Sequence, residues 1–583
     1  MSHTRTLSLI VLSLTLAACG QQPTQSDLAA QSSLNAQATA SAGGKKTYMV
    51  GFKSGQGVNA AAIGKVGGQL RRTFATIEAA SASLTSAQAA KLAADSSVEY
   101  VEATVPRRAA NYVVGDGDAL GKPGGALGNL AVNWQPQGEF TYGDVALQVP
   151  ALHAAGRTGT GIAVCVGDTG IDANHPEFAG KLAGYKNFMG DGRDSATLLN
   201  DVNHHGTHVS GTIFAQYGAG TGAPSQPSDM DPNGVGGVSP GVNLYVARVL
   251  GDDGTGSDEG VVAGVQWCVD QLSSQNKGGT EKRIVVSLSL GSSEGSKTEK
   301  RAFQAAYDAG ALTVAAAGND GNKLPHYPSD YPSVVKVGAV DNLGNLADFS
   351  NYNAQQELVA PGVAVLSSVP VGQGLAAKAS AAGVPAYQSV DAVQGGAKQT
   401  VIGTAIVEAG GTGNQFCGTG GTAVNAQLAG KIALISRGGC TFGEKASNAV
   451  DNGAVAVILY NNVAGPLNSV TLGADMSIAV VGIPMADGLA TLAAVQAASP
   501  SPVLGSVSIY AADYEYYNGT SMATPHVAGA AALVWSAKPN LSNAELRSLL
   551  NATATDLGAN GRDNFFGYGL VNPTAAIAAA GKK

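Results

Sequence analysis

Ile162-Ala163-Val164-Cys165-Val166-Gly167-Asp168-Thr169-Gly170-Ile171-Asp172 is an apolar run that ends on a carboxylate and a glycine turn. Unbroken apolar runs of this length suit strands buried on both faces of a parallel sheet. Leu244–Leu250, Ile284–Leu290, Leu312–Gly318 and Val334–Val340 read the same way, with helical stretches at Gly260–Gln271 and Glu299–Ala309 between them. This alternation predicts an α/β fold, a doubly wound and mostly parallel sheet covered on both faces. Such sheets carry their reactive groups beyond the carboxyl ends of the strands, where Asp168 stands.

The chain has 583 residues, too many for one unit at about 100–200 residues per domain. Hydrophobic residues make up 44% and charged residues 13%, so sizeable cores are expected and disorder is excluded by composition. Lys+Arg 34 against Asp+Glu 42 gives −8 with no long basic run, which argues against a nucleic-acid binder. The glycines keep no three-residue period, so a collagen is excluded as well.

Residues 7–17 are almost wholly apolar behind Arg5, too short to span a bilayer and suited to a signal-peptide core. They lead into Leu16-Ala17-Ala18-Cys19-Gly20, which resembles a bacterial lipobox. That resemblance implies a leader over 1–19, export, and a lipidated Cys19 as the new N-terminus; an ordinary small-residue cleavage site is the alternative. A Gln/Ser/Ala-rich spacer covers 20–44. Residues 45–106 read as an α+β unit, with strands at Thr47–Lys53, Ile77–Leu84 and Val98–Glu102. Thr85-Ser86-Ala87-Gln88 predicts a capping box opening a helix over Thr85–Ala94. A Gly/Ala/Asn-rich linker follows at 107–138. The α/β pattern occupies 139–370, an Ala/Gly/Val-rich segment interrupts it at 371–510, and 511–583 resumes it, with helices from near Ser521 and over Asn543–Ala552.

Apart from Cys19, Cys417 and Cys440 lie close together and form the more credible disulfide pair. Cys165 falls mid-strand and Cys268 mid-helix, which suits burial as small hydrophobes and leaves their pairing open. No cysteine pair has the two-residue spacing of a zinc site.

Three segments set a reactive side chain among small residues. They are Val166–Asp172, His205-Gly206-Thr207-His208-Val209-Ser210-Gly211-Thr212, and Gly519-Thr520-Ser521-Met522-Ala523-Thr524-Pro525-His526-Val527-Ala528-Gly529. A serine hydroxyl attacks only when an imidazole takes its proton, and a buried carboxylate must fix that imidazole's tautomer. A helix starting at the serine adds backbone N–H groups for an oxyanion. Asp172 lies past the strand end and reads as a turn former. His208 and His526 read as packing residues, and His204 competes with His205 on position alone.

Together these segments resemble the subtilisin-like serine proteases, whose Asp, His, Ser chain order they share. The resemblance implies Asp168 as the orienting acid, His205 as general base and then acid, and Ser521 as nucleophile in an endopeptidase passing through an acyl-enzyme. It implies that Asn319, in Ala315-Ala316-Ala317-Gly318-Asn319-Asp320, joins Ser521 in the oxyanion hole. Ser289-Leu290-Gly291 and Gly254-Thr255-Gly256 resemble the two substrate-binding strands, with Ala317 and Gly318 beside them. Glu177 stands where the family often has a calcium-binding aspartate. Asp231, Asn233 and the carbonyl of Val235 would complete a structural Ca²⁺ cage, although an insertion at Tyr217–Asp231 intervenes and solvated turn acids are an equal reading.

The unit at 45–106 resembles the family's inhibitor prosegment, which implies an intramolecular inhibitor and self-processing after about residue 106. Arg107-Arg108 is an alternative cut for another protease. Residues 431–460, with Lys445 and Asn452-Gly453, resemble a protease-associated (PA) domain. The expected partners are protein or peptide substrates, with the precursor tethered by its lipid and the mature protease released outside the cell. The rival from another class is a non-catalytic, peptide-binding surface lipoprotein; a second keeps the fold but acts on esters or one protein partner.

Overall fold

The structure, a computed structural model, describes residues 44–110, 132–195 except 179, 201–220, 230–418 except 276, and 423–579 except 466, 468, 469 and 499. The expected leader, Cys19, most of the spacer and most of the linker lie outside the described residues.

Seven parallel strands form the central sheet, in the order Leu358–Pro361, Val334–Val340, Leu312–Ala316, Ile284–Leu288, Ala163–Asp168, Asn243–Arg248, Leu182–Asn187. The inner strands are buried at almost every position, as their continuous Val/Ile/Leu/Ala runs require. Helices Asp258–Asp270 and Lys297–Asp308 cover one face. His205–Phe214 and Thr520–Ala537 pack on the other. Two edge strands were not expected from the sequence. Leu182–Asn187 is only partly buried and mixes apolar with polar residues, and Leu358–Pro361 is four residues long and ends in proline.

The disulfides settle what the sequence left open. Cys165 and Cys268 are bonded, tying a central strand to the helix above it, and both are buried. Cys417 and Cys440 are bonded as well.

The N-terminal unit is a four-stranded antiparallel sheet, in the order Gln69–Phe74, Ala79–Leu84, Lys46–Phe52, Val98–Ala103. Its helix Ser86–Ala93 carries the expected capping box between Thr85 and Gln88. The unit sits on the two helices Asp258–Asp270 and Lys297–Asp308 of the central sheet. Glu102 accepts the Lys297 and Thr298 N–H groups, satisfying orphan donors at that helix start. Glu259 accepts from Ser81 and Arg71. The strand does not give way to linker at residue 107: Pro106–Ala109 is itself a strand, between Leu290–Gly291 and Thr255–Ser257.

The second insertion grows from a ladder. Val365–Ser368 pairs antiparallel with Tyr514–Tyr517, and Gly374–Ala381 pairs with Leu504–Ala512 directly beyond. Entry and exit thus lie side by side, so the inserted seven-stranded sheet interrupts the chain without parting the core. The ladder's base rests on the His205 helix, where His208 Nε2 donates to the carbonyls of Val365 and Glu515. No helix among the described residues is long and apolar enough to cross a membrane.

Candidate active site

Asp168 is the last residue of its strand and His205 the first of its helix, and both are fully buried. His205 Nδ1 donates to Asp168 Oδ1 at 2.6 Å, and Thr169 N–H donates to the same oxygen at 2.7 Å. This pairing leaves His205 Nε2 as the free face of the ring, buried and without a partner. The approach depends on Gly206, whose Cβ would stand 2.2 Å from the Gly170 carbonyl oxygen; any side chain there would push the helix off the strand end. Asp201 anchors the same turn, accepting from Thr169, His204 and Thr207.

Ser521 lies in the first turn of helix Thr520–Ala537. Its Oγ donates to the Ser289 carbonyl at 2.8 Å, while the Ser289 hydroxyl donates to the Ser521 carbonyl at 2.7 Å. Asn319 is brought to this helix start by the strand end at Ala316 and a turn through Gly318, whose φ of +96° favours glycine. Thr520 donates to Asn319 Oδ1 twice, from N at 2.9 Å and from Oγ1 at 2.8 Å. The Asn319 amide is thereby turned so that Nδ2 points into the cleft, where it donates to the Ala110 carbonyl. Sequence reasoning passed over Thr520, although it stands beside Ser521 in the quoted segment.

The strand Pro106–Ala109 fills the cleft. Leu290 faces Ala109 and Gly291 faces Arg108 on one side; Gly256 faces Arg107 and Thr255 faces Arg108 on the other. Ala110 N–H donates to the Ser289 carbonyl at 3.0 Å, and Ala109 N–H to that of Gly254 at 2.9 Å. Ala317 and Gly318 bond within the framework instead, Ala317 N–H to Val337 O and Gly318 N–H to Thr520 Oγ1.

His208 and His526 serve packing. Burial pushes His208 down to about 3, and the ring stacks on Tyr517 at 4.4 Å. Burial likewise lowers His526 to about 4, and its Nδ1 donates to the Met522 carbonyl. Asp172 shapes a turn, accepting from Asn174 and Val371 N–H groups.

The calcium cage expected from the sequence does not fit. Glu177 Oε1 faces donors, the Tyr514 hydroxyl at 2.9 Å and the Val235 N–H at 3.4 Å, and burial pushes the carboxyl up to about 7. Val235 therefore turns its amide, not its carbonyl, to the acid. Asp231 Oδ1 accepts the Asn233 N–H, and the Asn233 carbonyl accepts that of Gly220. Glu177 Oε2 is buried without a partner, whereas Ca²⁺ takes roughly six to eight oxygens. Among the described residues no group of three or more His, Cys, Asp or Glu gathers as a metal site.

An acid–imidazole pair, a buried serine at a helix start and an amide donor over a bound carbonyl define the class of serine hydrolases. Comparison with known proteins narrows this. The model of the subtilase family matches residues 159–397 and 485–569, and that of the PA domain matches 401–491. Subtilisin E of Bacillus subtilis is 26% identical over 554 residues, 94% of each chain. Alkaline elastase YaB of a Bacillus species is 38% identical over 235 residues, 40% of this chain and 54% of the relative. The crystal structure of the psychrophilic subtilisin-like protease Apa1 from Pseudoalteromonas sp. AS-11 superimposes with a TM-score of 0.57 at 32% identity, covering 77% of this chain and 99% of that one. The chain belongs to the subtilase family and is a subtilisin-like serine protease carrying a PA domain.

Proposed function

We propose that this protein is an exported serine endopeptidase, made as a zymogen that cuts itself between Ala110 and Asn111. The observation that supports this reading best is the Ala110 carbonyl, held by Asn319 Nδ2 at the start of the Ser521 helix while the residues before it lie between two edge strands. Substrates would bind as the tail does, by adding a strand to Ser289-Leu290-Gly291 and Gly254-Thr255-Gly256.

The chemistry follows from the atoms. Ser521 Oγ leaves the Ser289 carbonyl and turns to His205 Nε2, which takes its proton as Oγ attacks the carbonyl carbon. Asn319 Nδ2 and the Ser521 N–H receive the oxyanion. Asp168 stabilises the imidazolium through Nδ1. The C–N bond then breaks, and His205 returns the proton to the leaving amine. Water, deprotonated by His205, hydrolyses the acyl-enzyme. Because Cys19 lies on the prosegment side of the cut, a lipid there tethers the precursor, and processing releases the protease.

N-terminal sequencing of the secreted protein and of Ser521→Ala tests this. The active chain is expected to begin at Asn111, and the variant to stay unprocessed and to take up no serine-directed phosphonate. Self-processing by the variant would overturn the assignment. Intact, unlabelled wild-type chain that still binds peptide would favour the non-catalytic lipoprotein.

A further inference from the structure

Arg107 is the fourth residue back from the proposed cut, and its side chain is fully buried. An arginine is buried only where its charge and its forked donors are met. Glu299 meets them. Arg107 Nε donates to Oε1 at 2.9 Å and an Nη to Oε2 at 2.5 Å, a two-pronged pair with both partners at 0% exposure. The other Nη donates to Ser292 Oγ and to the Pro106 carbonyl, each at 2.8 Å. Tyr331 closes the pocket, its hydroxyl 2.9 Å from Glu299 Oε2.

The acid belongs to the catalytic part, and the fold holds it in place. Glu299 lies in the first turn of helix Lys297–Asp308, with its N–H taken by the Ser296 cap. A carboxylate in that position is favoured by the helix dipole. Strand alternation then sends neighbouring side chains opposite ways, so Arg108 is exposed while Arg107 is enclosed.

We propose that Glu299, with Ser292 and Tyr331, forms a specificity pocket that selects arginine four residues upstream of the scissile bond, in substrates as in the prosegment. This rests on the protease reading above. The fork geometry ranks arginine over lysine, and both over leucine, because only a guanidinium engages both carboxylate oxygens and Ser292 at once. Without a cation the pocket leaves a buried carboxylate unpaired, which disfavours apolar occupants.

The test uses the mature enzyme and two reporter peptides of equal composition and charge, Arg-Leu-Ala-Ala and Leu-Arg-Ala-Ala, each cut after the second alanine. The first is expected to show at least tenfold higher kcat/KM, and Glu299→Gln to abolish that preference. The peptide pair reads the pocket even where the variant fails to fold. Equal cleavage by the wild type would overturn the pocket's role in selection and restrict the Arg107 pair to prosegment docking, with the protease reading intact. Cleavage of neither peptide, together with no phosphonate on Ser521, would overturn the protease reading and the pocket with it.

Discussion

Thr520 is the residue on which the proposed oxyanion donor depends, and Thr520→Val isolates that dependence. The change keeps the side-chain shape and the backbone N–H that holds Asn319 Oδ1, but removes the Oγ1 bond at 2.8 Å. It also strips the Gly318 N–H of its acceptor. One lost hydrogen bond is worth about 1 kcal/mol net, and a stranded buried donor costs about 1–3 kcal/mol. Part of this falls on stability. If about 1–2 kcal/mol is lost from the orientation of the Asn319 amide, kcat falls about 5- to 30-fold at 1.36 kcal/mol per decade. Asn319→Ala sets the ceiling at about 10²–10³, a range that itself comes from a subtilisin. Peptide binding along the two edge strands is untouched, so KM stays within about twofold. Steady-state kinetics on a peptide amide separate the two constants, and Thr520→Ser, which restores the hydroxyl, returns most of kcat. A Thr520→Val enzyme with wild-type kcat, or a Thr520→Ser enzyme as slow as the valine variant, would refute the positioning role.

Asp144 is buried and accepts from Thr141 N and Oγ1, and burial pushes its carboxyl up to about 7. The folded chain thus holds this proton where the unfolded chain has lost it, so stability falls as pH rises from about 4 to 7, by on the order of 3–4 kcal/mol; Asp144→Asn is expected to flatten that part of a melting-temperature profile against pH. The two disulfides should separate by exposure: a thiol reductant under native conditions opens the half-buried Cys417–Cys440 pair before the buried Cys165–Cys268 pair, as mass spectrometry of alkylated thiols will register. Replacing Cys165 and Cys268 together by alanine frees a loop of sequence separation 103 and should lower stability by about 2–4 kcal/mol in denaturant titration.

The central sheet was legible because its inner strands are buried on both faces and therefore unbroken in apolarity. Edge strands carry no such mark. Gln69–Phe74 and Leu182–Asn187 each expose polar side chains, and their pairing is dictated by neighbours distant in sequence. The reactive segments were legible for a different reason. Close approach of a strand end and a helix start, as of Gly206 to Gly170, demands very small residues there, and this leaves a local pattern in the chain. The calcium expectation carried a ligand set across an insertion. Here the loop turns N–H groups to Glu177, and amide direction is not written in residue type. Cys165 and Cys268 read as core residues because they are core residues; their bond is a matter of register between a strand and the helix above it.

The tail carries the proposed processing point, and its register is not written in the local sequence. Pro106-Arg107-Arg108 looks like an exposed basic site followed by loose linker, the kind of segment another protease would cut. Its structure is set by two edge strands whose backbone groups need partners, and any extended segment reaching them is drawn into a strand. Once the tail is in register, the period of two decides the rest. Arg108 meets solvent, Arg107 meets an acid 192 residues away, and the Ala110 carbonyl arrives at Asn319. The buried Arg107 pair then fixes that register. A slip of one residue would place Arg108 or Pro106 against Glu299 and carry a different carbonyl to the amide. On this reasoning the arginine that looks like a cleavage signal is a ruler, setting which carbonyl, that of Ala110, reaches the Asn319 amide.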